Sequence, residues 1–273
     1  MNTSKIKFES VSDLKLKGMQ LDPAVSTEVY FKSPENSEIV RLPSYKAIYN
    51  TEQRKIASVV SKEYRLVEHR PVVEAFTEVL SKLNLNSFGT IWNYGNRMYI
   101  DTAFGDKEIA EGVKIGVRLK NSYDTYTSFG LEAYGYRTAC QNGMFLGKVL
   151  KKELTVNRLH VGEINIRDTV AQFIKNLINS EVTLQNYVNE AMKESFEWDV
   201  AEKLLNSMIA KKHVDAVIFS LIDALDGKKP NRWQLYNALT WYSTHMLLSD
   251  YIQSQIQNVA QRVLVAPLVT EIK

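Results

Sequence analysis

Between Gly112 and His160 the chain gathers Lys114, Arg118, Lys120, Arg137, Lys148, Lys151, Lys152 and Arg158 against only Asp124, Glu132 and Glu153. That local excess is larger than the +3 of the whole chain, so the positive charge is concentrated here and the remainder is slightly acidic. Tyr123, Tyr126, Tyr134 and Tyr136 lie in the same window. Lysine and arginine neutralise phosphates and release counterions, which gives affinity that is independent of sequence and sensitive to salt. Exposed tyrosine rings stack unpaired bases, each worth on the order of 1–3 kcal/mol. Lys114, Arg118, Lys120, Tyr134, Tyr136, Arg137, Lys148, Lys151 and Lys152 are therefore the candidate contacts to a nucleic acid, with single-stranded DNA favoured. The competing reading pairs Arg118 and Lys120 with Glu132 across a hairpin and puts the tyrosines into a core. Exposed ion pairs of that kind contribute only about 0–1 kcal/mol.

Other chemistries have thinner support. Cys140 with His160 as base would make a nucleophile pair, but a lone cysteine ending an apolar strand packs as a small hydrophobe. His69, His160, His213 and His245 are scattered, with no second ligand three or four residues away that would make a zinc pair. Asp101, Asp106, Glu108 and Glu111 cluster around a strand end and could hold magnesium for a nuclease, or could form a solvated rim. Neither a phosphate-cradling Gly-x-x-x-x-Gly-Lys-Ser/Thr loop nor a Gly-x-Ser-x-Gly elbow occurs. No cofactor and no catalytic residue is assigned. Trp233, Tyr236, Trp241 and Tyr242 load one C-terminal helix with aromatic rings, suited either to an oligomer interface or to packing between helices.

The elements that must position these groups follow from periodicity. Residues 1–37 are weakly specified, with a loop at residues 32–37 and a strand at residues 39–50 interrupted by Pro43. Residues 64–69 read as a short strand, after which Arg70-Pro71 opens a helix ending near Asn84. Proline is tolerated there because its missing N–H has no intrahelical duty in the first turn. Val72, Phe76, Val79, Leu80 and Leu83 give that helix one apolar face. The period then changes to two. Gly95-Asn96 makes a hairpin turn. Met98, Ile100, Thr102 and Phe104 alternate with Arg97, Tyr99, Asp101 and Ala103. Val113, Ile115, Val117 and Leu119 alternate with Lys114, Gly116, Arg118 and Lys120. After a polar loop at residues 121–125, Phe129, Leu131 and Ala133 alternate with Glu132, Tyr134 and Tyr136. Short turns between consecutive strands predict an antiparallel sheet.

Beyond Asn142 the pattern is helical, over residues 169–180, 184–196 and 200–209. Another helix, capped by Asp215, runs to Leu225 and stops at Asp226-Gly227. Residues 233–245 and 247–264 read as one long helix or two abutting ones. The predicted fold class is α+β: an antiparallel β-hairpin sheet with a backing helix, followed by a helical C-terminal half. The expected divisions are an N-terminal arm with a short strand over 1–60, a sheet core over 61–160, and a helical bundle over 161–273.

With 273 residues, 45% hydrophobic and 24% charged, the chain has ordinary globular composition. One cysteine suits a reducing cytoplasm. The N-terminus lacks a secretory apolar stretch, and no apolar run is long enough to span a bilayer. The expected location is the cytoplasm of a prokaryotic cell, with no membrane partner.

Four segments together carry a resemblance. Tyr64-Arg65-Leu66-Val67-Glu68-His69-Arg70 resembles a "Y-x-V-V-x-x-R" strand and turn, and Lys120-Asn121-Ser122-Tyr123-Asp124 an "N-S-H-D-G-S" loop. Tyr136-Arg137-Thr138-Ala139-Cys140-Gln141-Asn142 is similar to an "R-V-V-C-Q-N-T" strand end. Trp233-Gln234-Leu235-Tyr236-Asn237-Ala238-Leu239-Thr240-Trp241-Tyr242 matches a "W-x-L-Y-N-A-V-T-E-Y" helix. In this order the four resemble the phage/plasmid-like family of unknown function that includes the bacterial YfjQ and YafZ proteins. The chain departs from that pattern at Tyr123, Thr125 and Gly143. The resemblance implies a phage, prophage or plasmid setting and supplies no mechanism. A fold-level analogy extends to single-strand annealing proteins, whose hairpins and following helix cradle DNA.

The expected function is that of a non-enzymatic nucleic-acid-binding protein of phage or plasmid DNA metabolism, with self-association extending the groove. The rival expectation is a structural or interaction protein, a host-takeover or anti-defence factor, that binds no nucleic acid.

Overall fold

The computed structural model describes residues 4–110, 112–137, 142–145, 155–160, 162, 164–246 and 248–265. Its strands are β1 (Ser4–Phe8), β2 (Ala24–Lys32), β3 (Ile39–Asn50), β4 (Lys55–Ser61), β5 (Ser87–Asn93), β6 (Arg97–Ala110), β7 (Val113–Ser122), β8 (Phe129–Arg137), β9 (Asn142–Phe145) and β10 (Thr155–Arg158). Its helices are α1 (Val11–Gly18), α2 (His69–Lys82), α3 (Ile166–Asn179), α4 (Glu181–Lys193), α5 (Trp198–Asn206), α6 (Lys211–Ala224), α7 (Arg232–His245) and α8 (Asp250–Val265). The fold is α+β, with antiparallel sheets in the first half and helices in the second.

One sheet runs β1-β5-β6-β7-β8-β10, with β9 also paired to β8; a second runs β2-β3-β4. The chain divides into two compact units. The first takes Met1–Asp106, Val117–Leu131 and Val156–Lys175; the second takes Lys107–Gly116, Glu132–Thr155 and Asn176–Lys273. Strands β6, β7 and β8 thus contribute residues to both.

In the first unit the expected alternation is present over residues 97–100 and 117–120, whereas Asp101 and Ala103 are buried together with Thr102 and Phe104. Ile91, Met98, Ile100, Val117 and Leu119 are buried, as are Val72, Phe76 and Leu80 of α2. α2 starts at His69, so Pro71 falls within the first turn, among the amides that lack an intrahelical acceptor. It stops at Lys82, and Asn84 follows with φ of +50°. Residues 64–69 do not form a strand. Tyr64 makes a single bridge and residues 65–68 run without regular structure into the helix. Gly95 turns the β5–β6 hairpin at φ +76°, and a Cβ there would also strike the Gln53 side chain. At Gly89 a Cβ would run into the Asp101 carbonyl, so only glycine lets those backbones approach.

The N-terminal segment carries more regular structure than its composition predicts. β1 adds to the edge of the main sheet in register with β5, from Ser4 opposite Asn93 to Phe8 opposite Gly89. Ser10 caps α1 by accepting the Asp13 amide at 3.1 Å. Leu14, Leu21, Ala24 and Ile48 are buried. Short elements of this kind are stabilised by tertiary burial, which local propensity does not report.

In the second unit, α7 packs against α4, α6, α8 and β9, and α5 packs against α6. Trp233, Tyr236 and Tyr242 are buried, whereas Trp241 is 39% exposed and stacks on His245. The aromatic load of α7 is therefore mostly core. Asp215 does not cap α6. The helix begins four residues earlier, because the buried series His213, Val214, Val217 and Leu221 already starts there, and Asp215 pairs with Lys211 at 2.9 Å one turn away. α7 instead has a complete capping box, Asn231 accepting the Gln234 amide at 2.9 Å and Gln234 accepting the Asn231 amide at 2.8 Å. Asn231→Ala should lower stability by about 1 kcal/mol, read from the midpoint of urea unfolding at unchanged slope.

Candidate nucleic-acid interface

In the first unit, one face of the β1-β5-β6-β7 sheet carries aromatic rings with cations over them. Lys5 and Trp92 are direct cross-strand partners, and the Lys5 ammonium lies 4.7 Å from the Trp92 ring centroid. Trp92 is in turn opposite Tyr99. The Arg118 guanidinium is 6.0 Å from the Tyr99 ring, and the Arg97 guanidinium is 3.5 Å from the Tyr126 ring. Tyr94 meets Tyr99 edge-on at 6.0 Å. The period of two explains this face: Arg97, Tyr99 and Asp101 lie opposite the buried Met98 and Ile100, and Arg118 and Lys120 lie opposite the buried Val117 and Leu119.

Two carboxylates hold the arginines. Asp101 is 5% exposed; it receives both Nε and a terminal nitrogen of Arg118, the latter at 2.6 Å, and the Trp92 indole N–H at 3.0 Å. A bidentate fork of this kind fixes the guanidinium plane. Asp124 receives Arg97 Nε at 2.6 Å, and Tyr126, which this pair supports, is 52% exposed.

The loop carrying Asp124 and Tyr126 rests on a buried polar network that joins two of the motifs. Asn121 donates from Nδ2 to the Val67 carbonyl at 2.7 Å and to His69 Nδ1 at 3.0 Å. His69 stacks on Tyr123 at 3.9 Å between centroids, and its amide donates to the Tyr123 hydroxyl. That hydroxyl donates in turn to the Asp22 carbonyl at 2.9 Å. Since Asn121 donates to Nδ1, the His69 proton sits on Nε2, and burial, opposed in part by the Gly95 carbonyl, brings its pKa down to about 3. His160 accepts the Phe129 amide on Nε2 at 3.1 Å, which places its proton on Nδ1 toward the Tyr64 hydroxyl. Burial brings His160 down to about 4, and burial together with the Asp124 charge pushes Tyr64 up to about 12.

The residues predicted for binding are distributed unevenly. Arg118 and Lys120 share the aromatic face. Arg118 is matched to Asp101, so its charge is compensated within the face. Lys114 belongs to the second unit and lies 3.8 Å from Glu108. Tyr134 is 4% exposed and offers no open ring face, while Tyr136 is half-buried. The backbone of Arg137 ends β8; its side chain, like Lys148, Lys151 and Lys152, lies outside the described residues. So do Cys140 and Glu111. Of the acidic group, Asp101 is taken by Arg118 and Trp92, Asp106 accepts from Asn86 at 3.3 Å, and Glu108 accepts the Gly112 amide. Among the described residues no three His, Cys, Asp or Glu side chains are placed to hold a metal ion, and no helix is long and apolar enough to cross a membrane.

Sequence reasoning missed Lys5, Trp92 and the pairing of Arg97 with Tyr126. Arg97 and Tyr99 stood on the correct face by alternation. Lys5 and Trp92 lie on strands whose periodicity was too short to see, and only the β1–β5 register brings them into line.

A family model described as "Domain of unknown function (DUF932)" matches residues 57–263. No curated protein and no solved structure matches the chain.

Proposed function

The chain belongs to the DUF932 family, and we propose that it is a non-enzymatic protein of phage or plasmid DNA metabolism that binds single-stranded DNA. The binding surface is the aromatic face of the first unit. The observation that carries this reading is that Trp92, Tyr99 and Tyr126 of the first unit each have a cation beside the ring. Flat rings stack bases without regard to sequence, and lysine and arginine beside them meet the phosphates. Single strands fit better than duplex because stacking needs unpaired bases. The four ordered motifs support the mobile-element setting, and with it the cytoplasm of a prokaryotic cell. Two of those motifs meet in the network beneath the Tyr126 loop. Annealing of complementary strands, and self-association that extends the surface, belong to the same proposal.

The test is a titration of fluorescent oligonucleotides, single- and double-stranded, at rising salt. Single strands should bind more tightly, and each phosphate engaged should add about −0.7 to the slope of log K against log salt. No binding at low salt would leave the rival reading, an interaction protein that binds no nucleic acid.

A further inference from the structure

A cleft of about 470 Å³ opens in the second unit. It is lined by Lys212 and His213 from the first turn of α6, Tyr242 and His245 from the last turn of α7, and Met246 and Leu248 beyond it. That volume holds a small molecule. His213 is 6% exposed, and one of its two ring nitrogens is occupied: Nδ1 meets the Tyr242 hydroxyl at 3.0 Å. Nε2 has no hydrogen-bond partner among the described residues, and it is not an enclosed atom, so it reaches solvent where the ring lines the cleft. With the Tyr242 O–H donating to Nδ1, Nε2 carries a proton that lacks an acceptor. A buried ring that leaves one donor open at a cleft wall is suited to an acceptor on a ligand.

Charge selects the ligand. No carboxylate is among the six lining residues. Lys212 makes no ion pair among the described residues, because Asp215, one turn on, is taken by Lys211 at 2.9 Å. Burial, and after it the Lys212 charge, holds the His213 imidazole below its ordinary pKa, as expected beside an uncompensated cation. α6 also has no acidic residue in its first turn, and its N-cap, Ala210, offers no side-chain acceptor to the leading amides. The positive end of the helix therefore adds to the lysine. The C-terminal end of α7 borders the cleft too, but the Trp241 carbonyl accepts His245 Nδ1 at 3.1 Å and the Tyr242 carbonyl accepts the Met246 amide at 3.2 Å.

We infer that this cleft binds a phosphate monoester. An open helix amide end with an adjoining lysine is general phosphate-binding chemistry. His213 Nε2–H donates to a phosphate oxygen, Lys212 meets the charge, and Met246 and Leu248 cover the esterified group. The His245 ring, stacked on Trp241 at 5.0 Å, forms the α7 side.

The test is isothermal titration of the full chain with phenyl phosphate, which has no nucleobase to stack on the aromatic face of the first unit, beside phenol as the uncharged control. Phenyl phosphate should bind and phenol should not. Lys212→Ala should weaken binding about tenfold or more, at an unchanged thermal midpoint because Lys212 is exposed. In long-range proton–nitrogen NMR spectra, phenyl phosphate should shift the His213 and His245 rings and leave those of His69 and His160 in place. Absence of binding at millimolar phenyl phosphate, or phenol binding as tightly as the ester, overturns the inference. So does affinity indifferent to Lys212→Ala, or shifts confined to His69 and His160.

Discussion

Replacing Tyr99 and Tyr126 together by alanine is expected to weaken single-stranded DNA binding by about 30-fold to 20,000-fold, from a loss of about 1–3 kcal/mol for each base stacked. The two positions differ in setting. Tyr126 is 52% exposed and its ring lies under Arg97, whereas Tyr99 is half-buried between Trp92 and the Arg118 guanidinium. Phenylalanine at both positions keeps the stacking surface and removes only the hydroxyl, so that variant should bind within a few-fold of wild type. The contrast isolates stacking from hydrogen bonding and from charge, since both variants leave Lys5, Arg97, Arg118 and Lys120 in place. Equal affinity of the alanine variant and the wild type, measured by fluorescence anisotropy on protein of unchanged thermal midpoint, would remove the aromatic face from the function.

The second large effect is on stability. His69 and His160 are neutral and buried, with pKa values brought down from 6.5 to about 3 and about 4. The unfolded chain therefore takes up protons below about pH 6.5 that the folded chain refuses until well below pH 5. Their contribution is complete above pH 6.5 and is lost as pH falls through that window. With both groups, the slope approaches about 2.7 kcal/mol per pH unit, and on the order of 4 kcal/mol is gone by about pH 5. Against a typical domain stability of about 5–15 kcal/mol this is a large fraction. Urea unfolding from neutral pH to about pH 5 measures it directly. His160→Gln, whose amide oxygen can still accept the Phe129 N–H, should roughly halve the slope. A wild-type slope near zero between pH 6.5 and 5 would show that the imidazoles titrate freely.

Much of this molecule was legible in single-sequence patterns, and the parts that were not have a common cause. The alternations at 97–100 and 113–120 identified the buried faces of β6 and β7, because a half-buried strand must place every second side chain in the core; from Ile100 to Phe104 β6 is buried on both faces. The 3.6-residue repeats located the helices of the second half, and Asp226-Gly227 marked the end of α6 by its positive φ values. The reading failed at β1, α1 and β2, which carry little apolar periodicity: β1 and β2 are held by register against β5 and β3, and α1 by packing on α2. It also failed at Asp215, where a good capping residue lost to an apolar stripe that begins a turn earlier.

The candidate site divides in the same way. Composition and spacing by themselves determined the residue types, the concentration of positive charge in the central third and the faces on which Arg97, Tyr99, Arg118 and Lys120 stand. Only the tertiary structure decided that Arg118 spends its charge on Asp101, that Tyr134 is buried, that Lys5, Trp92 and Tyr99 stand opposite one another across β1, β5 and β6, and that Arg97 lies over Tyr126. Periodicity is a property of one strand and is written along it. Ion pairing and stacking depend on which residues stand opposite across strands, and that register is set by the packing of the whole sheet.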